Sequence, residues 1–137
     1  MDLYEEIDYW MNLIDAELHC FETEERKEIV RKIYRFFADT NNLFYYYLPD
    51  KKGMISYSFT FDSKGVMALH ELFMYIKPEH RGSFKLFREL IKHVEQAAKE
   101  KNCRSIRIGA NLNFKDEKIL NALKYFGYAP DTVVKYL

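Results

Sequence analysis

The sequence predicts one α/β (α+β) domain over residues 1–137, with a mixed, mostly antiparallel central sheet that is flanked by helices. Three observations predict this fold class. Apolar residues recur at helical steps in four segments, and in the middle of the chain they alternate with polar residues instead. Hairpin signals precede a strand–helix–strand crossover, which makes the sheet mixed. The expected order is helix, helix, three strands, helix, strand, helix, strand.

Two helices are predicted at the N-terminus. The first has one apolar stripe at steps of three and four: Leu3, Ile7, Trp10, Met11, Ile14 and Leu18. Thr23, followed by two glutamates, is a good start for the second helix. Its stripe comprises Ile29, Val30, Ile33, Phe36 and Phe37. A stripe of this kind ordinarily faces the core.

The middle of the chain has the period of strands. Residues 43–48 (LFYYYL) are strand-like in their aromatic content, and residues 49–53 (PDKKG) predict a turn. In residues 55–61 apolar side chains alternate with Ser56, Ser58 and Thr60, which is typical of a half-buried strand. Residues 66–76 predict a longer strand whose apolar second half suggests cover on both faces, and Pro78 ends it.

A third amphipathic helix follows Ser83, with apolar residues on one face from Phe84 to Ala98. RSIRIGA (104–110) alternates like a short strand. A last helix in residues 113–128 ends at Gly127, a plausible left-handed cap, and residues 132–137 predict a terminal strand.

Composition excludes several classes of function. With 21 basic and 21 acidic side chains the net charge is zero, and glutamates interrupt the basic residues of 85–107, so we expect no nucleic-acid partner. No apolar run approaches the ~20 residues that span a bilayer, so no membrane partner is expected. Cysteines and histidines lack metal-ligand spacing, so we expect no metal. Two isolated thiols and the acidic start MDLYEEIDYW favour a cytoplasmic protein.

The strand-to-helix junction at 75–87 (YIKPEHRGSFKLF) has the ingredients of an anion site. A helix N-terminus offers unpaired N–H groups and the positive end of its dipole. Gly82 permits close backbone approach, and Arg81 supplies a cation. The same residues are also consistent with a plain connection that binds nothing, and the local pattern leaves both interpretations open.

Residues 71–90 (ELFMYIKPEHRGSFKLFREL) resemble the GNAT superfamily of acyl-CoA N-acyltransferases. Its phrase Val/Ile-x-Pro-Glu-x-Arg-Gly is matched by Ile76, Pro78, Glu79, Arg81 and Gly82. Its later Leu-Gly-Phe phrase resembles residues 125–128 (YFGY). The two small-residue slots of the family loop hold Phe84 and Leu86 instead. Small members, virus-encoded ones among them, are similar in having a glycine-poor loop.

The resemblance implies a site for acetyl-CoA (coenzyme A). Backbone groups of Met74, Tyr75 and Ile76 would bind the pantetheine arm. The pyrophosphate would lie against six consecutive residues: Arg81, Gly82, Ser83, Phe84, Lys85 and Leu86. Asn111 would lie near the cofactor, while Asn113 is expected to cap the last helix instead.

The resemblance also implies the chemistry. A strand carboxylate often serves as base in this family, and Glu71 is the first candidate, with His70 second because its pKa suits proton transfer. Either residue is also consistent with an ordinary exposed strand position. The family's tyrosine acid has Leu123 in its slot here, and Tyr125, a nearby tyrosine out of register, is the remaining candidate.

Two functions follow from the resemblance. The first is an N-acetyltransferase that moves an acetyl group from acetyl-CoA to a primary amine of a protein or small molecule. The alternative is a catalytically degenerate member that acts as a protein–protein interaction module, which the missing tyrosine and the bulky loop residues favour. A homodimer is ordinary for this fold, although nothing in the sequence demands one.

Overall fold

The computed structural model describes residues 2–109, 116–129, 135 and 137. Its helices are α1 (Leu3–Leu18), α2 (Glu24–Asp39), α3 (Phe84–Glu100) and α4 (Asp116–Tyr125). Its strands are β1 (Phe44–Tyr47), β2 (Gly53–Phe61), β3 (Met67–Ile76) and β4 (Ser105–Arg107). This order confirms the prediction as far as α4. The predicted terminal strand, 132–137, lies outside the described residues except for Lys135 and Leu137.

The four strands form one sheet in the order β1-β2-β3-β4. The first two pairings are antiparallel and the third is parallel, so the predicted mixed sheet is confirmed. The β2–β3 ladder runs from Gly53 opposite Ile76 to Phe61 opposite Met67, with one irregularity beside Ser56 and Tyr57. The β3–β4 ladder is much shorter and covers only residues 68–70 of β3.

Helices cover both faces of the sheet. Leu90 and Val94 of α3 pack against Ile55 and Leu69 on one face. On the other face α1 packs through residues such as Trp10, and α2 packs against α1. Side chains start the helices as predicted: Thr23 Oγ1 accepts from Arg26 N–H at 3.1 Å, and Ser83 Oγ accepts from Leu86 N–H at 3.3 Å. The core therefore lies in two layers, above and below β2 and β3.

The prediction that β2 is half-buried is wrong. Ser56 and Ser58 are buried, although their neighbours Ile55 and Tyr57 point into the opposite layer, towards α3. β2 is a central strand, and the serine face of the sheet is the one that α1 covers. Small hydroxyl side chains fit beneath packed helices, so polarity at alternate positions did not mean exposure here.

The predicted stripe of α2 is wrong for three of its five residues. Ile29, Ile33 and Phe36 are 52%, 48% and 64% exposed. The helix instead buries the side that carries Lys27, Tyr34 and Ala38. Lys27 is tolerated there because its Nζ lies 3.2 Å from the Asp15 carboxylate of α1, which pairs the buried charge.

Candidate functional site

Among the described residues, nothing pairs with the second half of β3 on its β4 side. In the part of the chain that the structure describes, β4 pairs with β3 only as far as His70. On the β2 side, Lys77 N–H donates to Lys52 O at 2.8 Å. Because the main-chain N–H and C=O groups of every second residue in a strand point to the same side, those of Tyr75 also point towards β2. The groups of Met74 and Ile76 point the other way, to the open edge. Two of the three residues expected at the pantetheine arm therefore offer main-chain groups there, and Tyr75 does not.

A sharp junction connects this edge of the sheet to α3. Residues Pro78–His80 form one 3-10 turn, Arg81 is extended, and Gly82 has φ +89°. That conformation favours glycine, and a Cβ at Gly82 would meet nothing within 4 Å. Glycine is thus required by the backbone rather than by crowding, and the space beside it is free for a ligand.

Four consecutive amides lie at the start of α3. Among the described residues, no acceptor receives the N–H groups of residues 82–85. The next amides are occupied: Leu86 N–H donates to Ser83 Oγ and Phe87 N–H to Ser83 O, both at 3.3 Å. Amides like those of residues 82–85, at the positive end of a 17-residue helix, are able to hold an anion.

A cleft of about 530 Å³ opens beside these amides, with Arg81, Ser83, Lys85 and Leu86 in its lining. Phe84 is not among its lining residues. Its half-exposed ring packs on the rings of Tyr125 and Phe126, at centroid distances of 5.4 and 5.6 Å. The bulky residue in the small slot of the loop therefore leans towards the end of α4 and leaves this cleft open.

Arg81 is held by the protein rather than extended into the cleft. Its Nη1 and Nη2 donate to the two carboxylate oxygens of Glu17 at 2.5 and 2.7 Å, and its Nε donates to Ile76 O at 2.9 Å. Glu17 lies in the last turn of α1. Glu17 has no signal in the sequence, because one acid at the end of a helix does not indicate a partner 64 residues away.

Glu71 lies in the middle of β3, where the ladder to β2 is irregular. Removal of its carboxyl from water raises the pKa of Glu71 to about 8. Within the described ranges the carboxyl has no hydrogen bond or ion pair. A carboxylate with a pKa near the working pH is suited to accept a proton from an amine.

His70 and Glu71 are consecutive in β3, where His70 is opposite Ser58 and Glu71 is opposite Tyr57, beside the irregular point of the ladder. Burial, followed by the positive charge of Arg107, lowers the pKa of His70.

The tyrosine candidates are divided between surface and core. Leu123, in the slot of the expected acid, is buried. Tyr125 is 75% exposed and contacts Phe84 at the junction, not Glu71. Tyr128 has a buried hydroxyl without a hydrogen-bond partner among the described residues, and burial raises its pKa to about 12. The expected positions Asn111 and Asn113 lie outside the described residues.

The described residues contain neither a metal-binding group of side chains nor a helix that could span a membrane. Within residues 2–109 and 116–129 no group of three His, Cys, Asp or Glu side chains is placed to hold a metal ion. No helix in the same ranges has the length and apolar character needed to cross a membrane.

Known proteins share this arrangement of elements. The chain is similar to a GCN5-related N-acetyltransferase from Ralstonia eutropha, with a TM-score of 0.78, 11% identity, and 99% of this chain and 94% of that one covered. It is similar to a "predicted acetyltransferase with acetyl-CoA" from Clostridium acetobutylicum, with a TM-score of 0.74, 15% identity and coverage of 100% and 92%. An aminoglycoside acetyltransferase from an uncultured soil metagenomic sample, in complex with sisomicin, gives 0.65, 14%, 99% and 91%.

At these identities the structural likeness shows the fold. No curated protein sequence is significantly similar to the chain. The model of the acetyltransferase (GNAT) family, however, matches residues 8–124, which is most of the sequence and includes both the junction and Glu71. The chain therefore belongs to the acetyltransferase (GNAT) family, as the phrase at 76–82 predicted.

Proposed function

We propose that this protein transfers an acetyl group from acetyl-CoA to a primary amine of a small molecule or a protein. The observation that carries the proposal is the run of four amides, residues 82–85, at the positive end of α3, for which the described part of the chain supplies no acceptor. A diphosphate needs several donors and a positive field, and this junction supplies both. The family match favours a transferase over an interaction module.

The edge of β3 that no described residue pairs with is where we place the pantetheine arm and the thioester of the cofactor. An arm attached to a diphosphate at residues 82–85 would run back along β3, with the main-chain groups of Met74 and the N–H group of Ile76 available to it, since Ile76 O already accepts from Arg81 Nε. Residues 71–76 of an extended strand span about 17 Å. An arm lying along them would bring its thioester to the neighbourhood of Glu71.

The chain's own residues have few tasks in this chemistry. Acetyl-CoA supplies an activated acetyl group when it is bound. The Glu71 carboxylate takes the proton from the acceptor ammonium, so that the free amine forms the C–N bond while the C–S bond breaks. His70 is the second candidate for this task. Tyr125 is the candidate for returning a proton to the sulfur, and solvent or the substrate ammonium is the alternative source.

The experiment has two parts, binding and turnover. Calorimetric titration with acetyl-CoA is expected to give saturable binding with a dissociation constant in the micromolar range. Release of free thiol is then followed with a panel that contains an aminoglycoside such as sisomicin, free lysine and unblocked peptide N-termini. An absence of binding heat and of any thermal shift at millimolar acetyl-CoA would refute the proposal.

A further inference from the structure

The carboxylate of Glu17 joins the end of α1 to the junction before α3. Both of its oxygens accept from the Arg81 guanidinium, at 2.5 and 2.7 Å, in a two-pronged arrangement that fixes orientation as well as distance. The hydroxyl of Tyr75 donates to the same carboxylate. Three elements of the fold, namely α1, β3 and the junction, therefore meet at one acidic side chain.

Arg81 in turn links the start of the turn into α3 to the end of β3. Its Nε donates to Ile76 O at 2.9 Å, across the intervening residues 77–80. Its guanidinium also lies over the Tyr75 ring, 5.1 Å from the centroid. The Arg81 side chain thus fixes where the chain leaves β3 and where Gly82 begins the turn into α3. The orientation of the Arg81 side chain depends on Glu17, whose carboxylate accepts hydrogen bonds from both terminal nitrogens of Arg81.

We propose that Glu17 is a positioning residue for the cofactor site. It holds Arg81, and Arg81 holds residues 77–82 in the shape that places the amides of 82–85 at the start of α3. The inference rests on the proposed function, because the bound anion is the diphosphate of acetyl-CoA. In this arrangement Arg81 acts through the loop, and the amides contact the cofactor.

The energetic reason is preorganisation. The Glu17 and Arg81 side chains are each about one third exposed, so their pairing alone stabilises the fold only slightly. A loop that is already ordered loses less conformational entropy when its ligand binds. Loss of Glu17 should therefore affect cofactor affinity more than it affects folding.

Glu17→Gln tests this with Glu22→Gln as the matched control. Glu22 also pairs with one arginine, Arg26, at 2.6 Å, but on the exposed surface near the start of α2. We expect Glu17→Gln to raise the dissociation constant and the KM for acetyl-CoA five- to thirtyfold and to change kcat less than twofold. Glu22→Gln should match the wild type in all three. A purely structural role would lower the melting temperature and leave KM unchanged, which would overturn the inference.

A double-mutant cycle and amide exchange complete the test. If Glu17 acts through Arg81, the variant Glu17→Gln/Arg81→Gln binds acetyl-CoA no worse than Arg81→Gln alone; additive losses would overturn the inference. In the cofactor-free protein, Glu17→Gln should speed exchange of the hydrogen-bonded amides of Lys77, His80 and Arg81 about tenfold, and unchanged exchange would also overturn it. Because exchange is measured without cofactor, faster exchange in a protein that binds no acetyl-CoA would uphold the positioning role and refute only the proposed function.

Discussion

Glu71→Gln should alter how the stability of this protein depends on pH. Burial raises the pKa of Glu71 from 4.5 to about 8, so the native protein holds this proton more strongly than the unfolded chain does. The resulting stabilisation is complete below pH 4.5 and is lost as the pH rises through 8. Glutamine carries no charge at any of these pH values, so the variant lacks this loss.

The size of the effect follows from the same pKa. Each pKa unit corresponds to about 1.36 kcal/mol, so the wild type should lose about 2 kcal/mol of unfolding free energy between pH 6 and pH 8 relative to the variant. Since Glu71 is partly exposed, this value is an upper limit. If Glu71 is also the base, kcat/KM of the wild type rises tenfold per pH unit below pH 8 and levels off above it, and the variant loses about a hundredfold or more.

Urea unfolding at pH 6, 7 and 8 measures the first effect, and thiol release at the same pH values measures the second. Glu25→Gln, at an exposed position in the first turn of α2, is the matched control and should follow the wild type's pH dependence. Parallel stability curves for the wild type and Glu71→Gln would refute the assignment of a raised pKa. Full turnover of Glu71→Gln at every pH would rule out its role as the base.

Three other substitutions test separate parts of the structure. Gly82→Ala should cost about 1–2 kcal/mol of unfolding free energy, because φ is +89° there, and should weaken acetyl-CoA binding in calorimetry; unaltered binding would contradict the account of the junction. Leu123→Tyr should lower stability by about 1–3 kcal/mol in urea unfolding, because the slot is buried, whereas an unchanged midpoint would mean that the slot has room for a tyrosine acid. Ile33→Lys and Phe36→Lys should each change stability by less than about 0.5 kcal/mol, and a loss above 2 kcal/mol for either would restore the α2 stripe to the core.

The parts that the sequence predicted correctly have local causes. The junction follows from Pro78, Gly82 and Ser83, whose backbone preferences and capping ability act within a few residues. The order of helices and strands follows from the period of the apolar residues, which is also local. Glu71 became a candidate through the resemblance to the GNAT family, in which a strand carboxylate often serves as base; its role stays a prediction, and its raised pKa depends on the surrounding packing.

The parts that the sequence missed depend on contacts between distant segments. The spacing of the apolar residues in residues 24–39 predicts a helix, but that helix carries apolar residues on more than one side. The side of α2 that is buried is the one on which Lys27 lies, paired with Asp15 of α1. Ser58 is buried because helices cover that face of β2. The alternation of polar and apolar residues along the strand does not indicate this cover. Glu17 acquires its role only when α1 lies against the junction, and its pairing with Arg81 has no counterpart in the local pattern.

Amide resonances report most directly on whether the start of α3 holds an anion carried by the cofactor. In a titration of the isotope-labelled protein with acetyl-CoA, we expect the largest chemical-shift changes on the N–H groups of residues 82–85, and we expect inorganic pyrophosphate to shift the same resonances at higher concentration. Saturable binding that leaves these four amides unmoved would contradict it.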